Sequence, residues 1–227
     1  MTGSVGPAAS PVADPGAGRY FGLYPAIVTD IVDTDRLSRI EVQFPWLGSD
    51  GDSVRAKATL LSPYADDDQG FVALPAVGTE VVVAFEAGDL RRPYIIGSAW
   101  NGQEMMPVTP TRPNNKRLIK SRAGSLLEFD DTDGAAKVTI SMQSGHTIVL
   151  DDAAQQVEIQ HANGSAITFD IAGRIAIQAN ATVDITAAAL NVHAETATFD
   201  GIINCRTMCS SVSVMSPSYT PGAGNVW

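Results

Sequence analysis

The feature that most restricts this chain is a repeat. Residues 124–131 read GSLLEFDD, residues 145–152 read GHTIVLDD and residues 164–170 read GSAITFD, so the copies start 21 and 19 residues apart. Each copy is followed by a second short alternating run: KVTI at 137–140, QVEI at 156–159 and RIAI at 174–177. The pattern continues with shorter turns through TVDI at 182–185 and LNV at 190–192. A fixed period of about 20 residues marks a repetitive architecture whose units cannot bury a core singly. Alternation with a period of two makes these units strands rather than helices.

The repeat predicts where the apolar surface lies. One face carries Leu127 and Phe129, Ile148 and Leu150, Ile167 and Phe169, then Ile175, Ile177, Val183 and Ile185. The other face is mostly polar or small. A thin meander of this kind is marginal alone, because nothing covers its apolar face. The sequence offers no amphipathic helix to lie on it. The nearest available cover is the same sheet from another copy, and cyclic symmetry closes that arrangement without open edges. Three copies enclose a triangular prism, so a homotrimer built as an intertwined β-helix is the expectation. Residues 179–197 are rich in Ala, which favours helix. Val183, Ile185, Leu190 and Val192 nevertheless keep mostly to a period of two among abundant Thr, and strand is the expectation there as well.

The first hundred residues follow another plan. Residues 1–19 are rich in Pro, Gly, Ala and Ser, which reads as a flexible N-terminal arm, either a docking segment or a loose end. From 20 to 100 short strands alternate with turns. Ile40, Val42, Phe44 and Trp46 alternate with Arg39, Glu41 and Gln43, and Val54, Ala56, Ala58 and Leu60 with Arg55, Lys57 and Thr59. Val81, Val83 and Phe85 repeat the pattern up to a turn at 87–89, and a further strand covers 94–97, with at most a helical turn near 64–69. Short strands separated by turn signals predict a small barrel. Residues 101–116 hold Pro107, Pro110 and Pro113 and read as a linker. Arg112, Lys116, Arg117, Lys120 and Arg122 then cluster, either as a solvated connector or to meet acids such as Asp130 and Asp131 of a neighbouring copy. The predicted fold class is all-β, with the repetitive region at 117–215 and a distinct end at 216–227.

Charge and composition exclude several functions. Of 227 residues 44% are hydrophobic, so the chain can build cores, and net charge is −10. From 141 onward the only Lys or Arg residues are Arg174 and Arg206. Binding to nucleic acid or to an anionic membrane needs clustered cations, so neither is expected. No apolar run approaches the roughly 20 residues that cross a bilayer. No charged segment precedes an apolar one at the N-terminus, so synthesis in the cytoplasm is expected. Cys205 and Cys209 are too few for a disulfide scaffold, and structural zinc wants four ligands, so both read as small core residues.

Catalytic signatures are absent from the sequence. There is no nucleophile elbow, phosphate-binding loop or zinc-protease helix. The paired acids Asp130 and Asp131, and Asp151 and Asp152, recur at the same place in each repeat, which suits turns better than one glycosidase pair. His146 shares a face with Ile148 and Leu150, and His161 with Val157 and Ile159. Around a threefold axis such imidazoles could hold a metal, but a corner position in contact with water is the commoner fate. No catalytic residue, cofactor or metal ligand is assigned.

Three segments also resemble a known family: residues 35–46 (DRLSRIEVQFPW), 74–85 (LPAVGTEVVVAF) and 88–101 (GDLRRPYIIGSAWN). They look like the V-type baseplate spike of contractile phage tails and related injection systems, the part shared with VgrG proteins of type VI secretion, and residues 117–131 match the family's passage into its β-helix. The resemblance implies an OB-fold barrel at 20–100 and a triple-stranded β-helix at 117–215. It implies a non-enzymatic central spike, assembled in a baseplate and driven through a target envelope on sheath contraction. It further implies a separate trimeric hub protein and a PAAR-repeat-type tip protein. The short linker leaves no room for an inserted lysozyme domain, and about 19 residues ahead of the barrel leave none for a fused hub. The tail at 216–227, with Tyr219, Pro221, Val226 and Trp227, is expected to end the β-helix and to contribute to docking of the tip. The competing expectation is a carbohydrate-binding or lyase-type trimeric tail fibre, which would need aromatic or acid–base residues facing solvent. A free OB-fold nucleic-acid binder would need a basic aromatic groove, which the acidity opposes.

Overall fold

A computed structural model describes residues 18–35, 37–48, 54–213 and 215. The candidate tip residues Tyr219, Pro221, Val226 and Trp227, and most of the N-terminal arm, lie outside the described residues. The chain divides into two compact units, the first built on residues up to 122 together with 129–132, the second on most of the remainder.

The first unit holds a closed barrel. Its strands are β1 (Tyr24–Asp30), β2 (Arg39–Gln43) and β3 (Arg55–Leu60), then, after a two-residue hairpin of β4 (Ala65–Asp66) and β5 (Gln69–Gly70), β6 (Glu80–Phe85) and β7 (Pro93–Ser98). The order around the barrel is β1-β2-β3-β7-β6, and β6 closes back on β1. All barrel pairs are antiparallel except β3 with β7. The alternation seen in the sequence is what fills it: Ala26, Val28, Ile40, Val42, Ala58, Val81, Val83 and Ile95 are all buried. Where a helical turn was admitted near 64–69, the chain instead makes the β4–β5 hairpin.

One end of the barrel is closed by aromatic rings. Tyr24 stacks on Trp46 at 4.7 Å, and Tyr20, Phe44 and Phe85 pack around them. The Trp46 indole N–H donates to the carbonyl of Pro25 at 2.8 Å, so the ring's one polar atom is satisfied. The β6–β7 connection gives the 88–101 motif its physical reason. The N–H of Tyr20 donates to the carbonyl of Gly88, and a Cβ on Gly88 would stand 3.0 Å from Arg19 Cβ and 3.1 Å from Tyr20 N. With φ at +80° as well, only glycine fits there. Asp89 then accepts from the backbone and guanidinium of Arg91, which holds its carboxyl down at about 2.

The other sheet is a seven-stranded antiparallel meander. Its strands are β8 (Lys116–Lys120), β9 (Leu126–Asp130), β10 (Lys137–Ser141), β11 (Thr147–Asp151), β12 (Gln156–Gln160), β13 (Ala166–Phe169) and β14 (Ile175–Gln178), hydrogen-bonded in sequence order. The repeat is a run of hairpins, and each repeat glycine sits in the turn that makes one. At 142–146 the N–H of Gly145 donates to the carbonyl of Met142 and the N–H of Met142 to that of His146; 161–165 and 170–174 repeat the pattern. Gly145, Gly164 and Gly173 have φ of +93°, +89° and +74°, the left-handed residue that ends a three-residue hairpin loop.

Residues 179–213 form no strand, although 182–185 and 190–192 were expected to. Their alternation survives in the sequence, but a strand needs a neighbour to complete its ladder. The meander ends at β14, and a single chain offers these residues no next strand.

Candidate assembly face

The hairpin register turns the repeat into a surface. Val138, Leu150, Val157, Phe169 and Ile175 are successive partners across β10 to β14, and so are Ile140, Ile148, Ile159, Ile167 and Ile177. Directly paired residues share a face. Ten branched or aromatic side chains therefore form two unbroken rows on one side of the sheet. Six of them, Ile148, Leu150, Ile167, Phe169, Ile175 and Ile177, were predicted as core. The register adds Val138, Ile140, Val157 and Ile159, which the sequence showed only as companion strands. Leu127 and Phe129 lie on β9, whereas Val183 and Ile185 lie in the strandless segment.

These rows are more open to solvent than the side behind them. Leu150 is 46% exposed, Phe169 43% and Ile177 62%. The opposite row, Thr139, Val149, Glu158, Thr168 and Ala176, is half-buried. It contains no aromatic residue on which a sugar could stack. A contiguous apolar surface of this extent marks a site of association.

The acids at the strand ends serve the turns. Asp151 accepts the N–H of Ala154, and Asp170 accepts those of Ala172 and Arg174. The Arg174 N–H, with its guanidinium, holds the Asp170 carboxyl below the usual carboxylate range. Asp130 is held down in the same way, chiefly by the Thr132 hydroxyl at 2.6 Å. The basic cluster meets partners in its own chain: Arg117 pairs with Asp131 at 2.6 Å and Lys116 with Asp130 at 3.6 Å. Within one chain the β8–β9 strands already bring these two pairs of charges together.

His146 and His161 face each other, with ring centroids 4.3 Å apart. Among the described residues no three of His, Cys, Asp and Glu stand close enough to hold a metal. Cys205 and Cys209, expected as small core residues, are exposed free thiols in the strandless segment of the single chain. That segment has no layer to bury them under in a single chain.

The sequence reading missed Asp33. Its side chain is 3% exposed. It accepts the backbone N–H groups of Asp35, Leu37 and Arg39, the Arg39 guanidinium and the Lys57 ammonium. The Arg39 guanidinium, then Lys57 and the backbone donors, hold its carboxyl far below the usual range. One carboxylate thus ties Asp35, Leu37 and Arg39 of the β1–β2 connection to Lys57 on β3. The available signal was Arg39 and Lys57 two rungs apart on adjacent strands, facing a loop with two acids.

Comparison with known proteins agrees with this architecture. Residues 24–100, the barrel, match the family described as the type VI secretion system/phage-baseplate injector OB domain. A stretch of 137 residues, 55% of the chain, is 32% identical to the type VI secretion system spike protein VgrG5 of Pseudomonas aeruginosa. Another of 134 residues, 56% of the chain, is 23% identical to the actin cross-linking toxin VgrG1 of Vibrio cholerae, and one of the same length is 24% identical to the spike protein VgrG3 of that species. The matches span 17%, 12% and 13% of those proteins, so the chain corresponds to a small part of each. The resemblance to V-type baseplate spikes read from residues 35–46, 74–85 and 88–101 therefore holds.

Proposed function

We propose that this chain, whose barrel is an injector OB domain of the type VI secretion and phage-baseplate kind, is a non-enzymatic spike component that works as a homotrimer. The observation that carries the proposal is the pair of apolar rows on β10 to β14, left half-open in a single chain. Fully burying a Val, Leu, Ile or Phe stabilises by about 1.5–3 kcal/mol relative to full exposure, so covering ten such side chains is a strong drive to associate. Three copies winding together supply the cover and give residues 179–213 the neighbouring strands they lack alone. In this reading Leu127, Phe129, Val183 and Ile185 join the shared core, and 117–215 becomes an intertwined β-helix.

An interlocked trimer of this kind transmits force. Removing one chain would expose the apolar rows of the other two, so unfolding is cooperative and slow, which suits a part that pierces an envelope. Its neighbours in the assembly are a separate trimeric hub on the barrel side and a PAAR-repeat-type tip protein at the far end, where Tyr219, Pro221, Val226 and Trp227 are proposed to contribute. After synthesis the trimer takes its place in the baseplate of a phage or injection system.

Light scattering of the purified chain tests this directly. The expected mass is about three times 23.9 kDa. Ile159→Asp places a charge in the middle of a row and should break the assembly. A stable monomer of the native chain would overturn the proposal.

A further inference from the structure

We propose that His146 and His161 form an acid-sensitive latch at the end of the apolar face, which closes over neutral imidazoles and loosens when they gain protons. The inference rests on the reading that this face is buried between copies. Its geometry comes from the hairpins. Thr147 opposite Gln160 is the last rung of the β11–β12 ladder, and the next position sets His146 against His161. Their rings lie 4.3 Å apart at 53°. Counting by two along each strand places both on the same side as Ile148 and Ile159.

The hydrogen bonds of these rings suit the neutral imidazole. His146 Nδ1 accepts the N–H of Ala162 at 3.3 Å, and His161 Nδ1 accepts the N–H of Asn163 at 3.1 Å. Both donors are backbone groups of one turn, the one that Gly164 closes. An imidazole nitrogen that accepts an N–H carries no proton, so this geometry suits a ring with its proton on Nε2. Protonation turns each acceptor into a donor facing a donor. It also sets two cations side by side.

The surroundings offer those cations nothing. The rings open on a cleft of about 270 Å³ lined also by Ile140, Met142, Thr147, Ile148, Ile159 and Gln160. None of these residues, from β10, β11, β12 or the connecting turn, is titratable. The nearby charges Lys137, Asp151 and Glu158 belong to the alternate positions of their strands and so to the opposite face. Among the described residues an imidazolium here therefore has no carboxylate in the cleft to receive it, and covering the cleft with a second copy would remove water as well. The same occupied Nδ1 atoms leave the pair poorly suited to hold a metal.

The test uses the full chain and compares pH 8.0 with pH 5.5, a window in which imidazoles change charge while ordinary carboxylates stay ionised. Assembly is followed by light scattering over a dilution series for the native chain, H146Q, the double variant H146Q/H161Q and the control H193Q. Acidification should weaken assembly of the native chain and of H193Q by about tenfold or more, the effect of a tenfold difference in proton affinity between free and assembled rings. The double variant should change by less than about threefold, with H146Q intermediate. Equal pH dependence in the native chain and the double variant would overturn the latch. A chain already monomeric at pH 8.0 would instead refute the assembly reading. In that case amide exchange over 146–165, corrected for intrinsic rates, decides: faster opening at pH 5.5 in the native chain but not in H146Q supports the latch, and identical opening rejects it.

Discussion

Asp33 shows how much one side chain can organise when its partners come from different parts of the chain. Three backbone donors, a guanidinium and an ammonium converge on a carboxylate that is almost fully covered. Because its folded-state pKa lies below the unfolded value, the stabilisation it gives is complete above the ordinary carboxylate range, near pH 4, and is lost as pH falls through the lower folded value. Asp33→Asn should therefore lower the melting temperature of the barrel by several degrees at pH 7. The gap to the native protein should narrow steadily below about pH 4. Thermal melts at stepped pH would show it, and a gap that stays constant down to pH 2 would contradict the assignment. The contact itself is not a local pattern, since Asp33 and Lys57 are 24 residues apart and meet only through the register of β2 on β3. The histidine pair was half-legible: parity gave each ring its face, but only the hairpin register set the rings against each other.

The hairpin is the element that the sequence announced most clearly, because its turn and its alternation agree. Gly145 has φ of +93°, and a Cβ there would lie 3.5 Å from Ala162 Cβ. Gly145→Val adds a left-handed backbone penalty of about 1–2 kcal/mol and crowds the next turn. Denaturant unfolding should show a loss of at least that size, and in the trimer each chain would contribute its own. Gln155 occupies the corresponding position before β12 with φ of +47°, so one hairpin of the series already carries this strain. The barrel strands were legible for the same reason: Ile40, Val42 and Phe44, and Val81, Val83 and Phe85, alternate and are all buried. What the alternation did not reveal was closure. The parallel pairing of β3 with β7 brings together residues some 35 positions apart, and no local pattern encodes it.

At the scale of the whole molecule, the contrast is between a unit that is complete in one chain and a unit that is not. The barrel has a closed ladder and a buried core. The meander has one half-buried side, one more open side and a strandless continuation. Hydrogen exchange should separate the two. Barrel amides should be protected at any concentration, whereas amides of 179–213 should gain protection only where light scattering reports the trimer. Protection of that segment in a monomer would mean that it folds without a partner.

The antiparallel order of β8 to β14 has one more consequence, which concerns size. Neighbouring strands are spaced about 4.8 Å apart, so each repeat of two strands lengthens the sheet across its strands by roughly 10 Å. Length is thus counted rather than tuned: evolution can adjust it in whole hairpins, gaining or losing about 20 residues at a time, without redesigning any surviving rung. The rows of apolar partners would simply run one pair longer or shorter. If the chain acts as the proposed spike, a gauge of this kind would fit one scaffold to barriers of different depth.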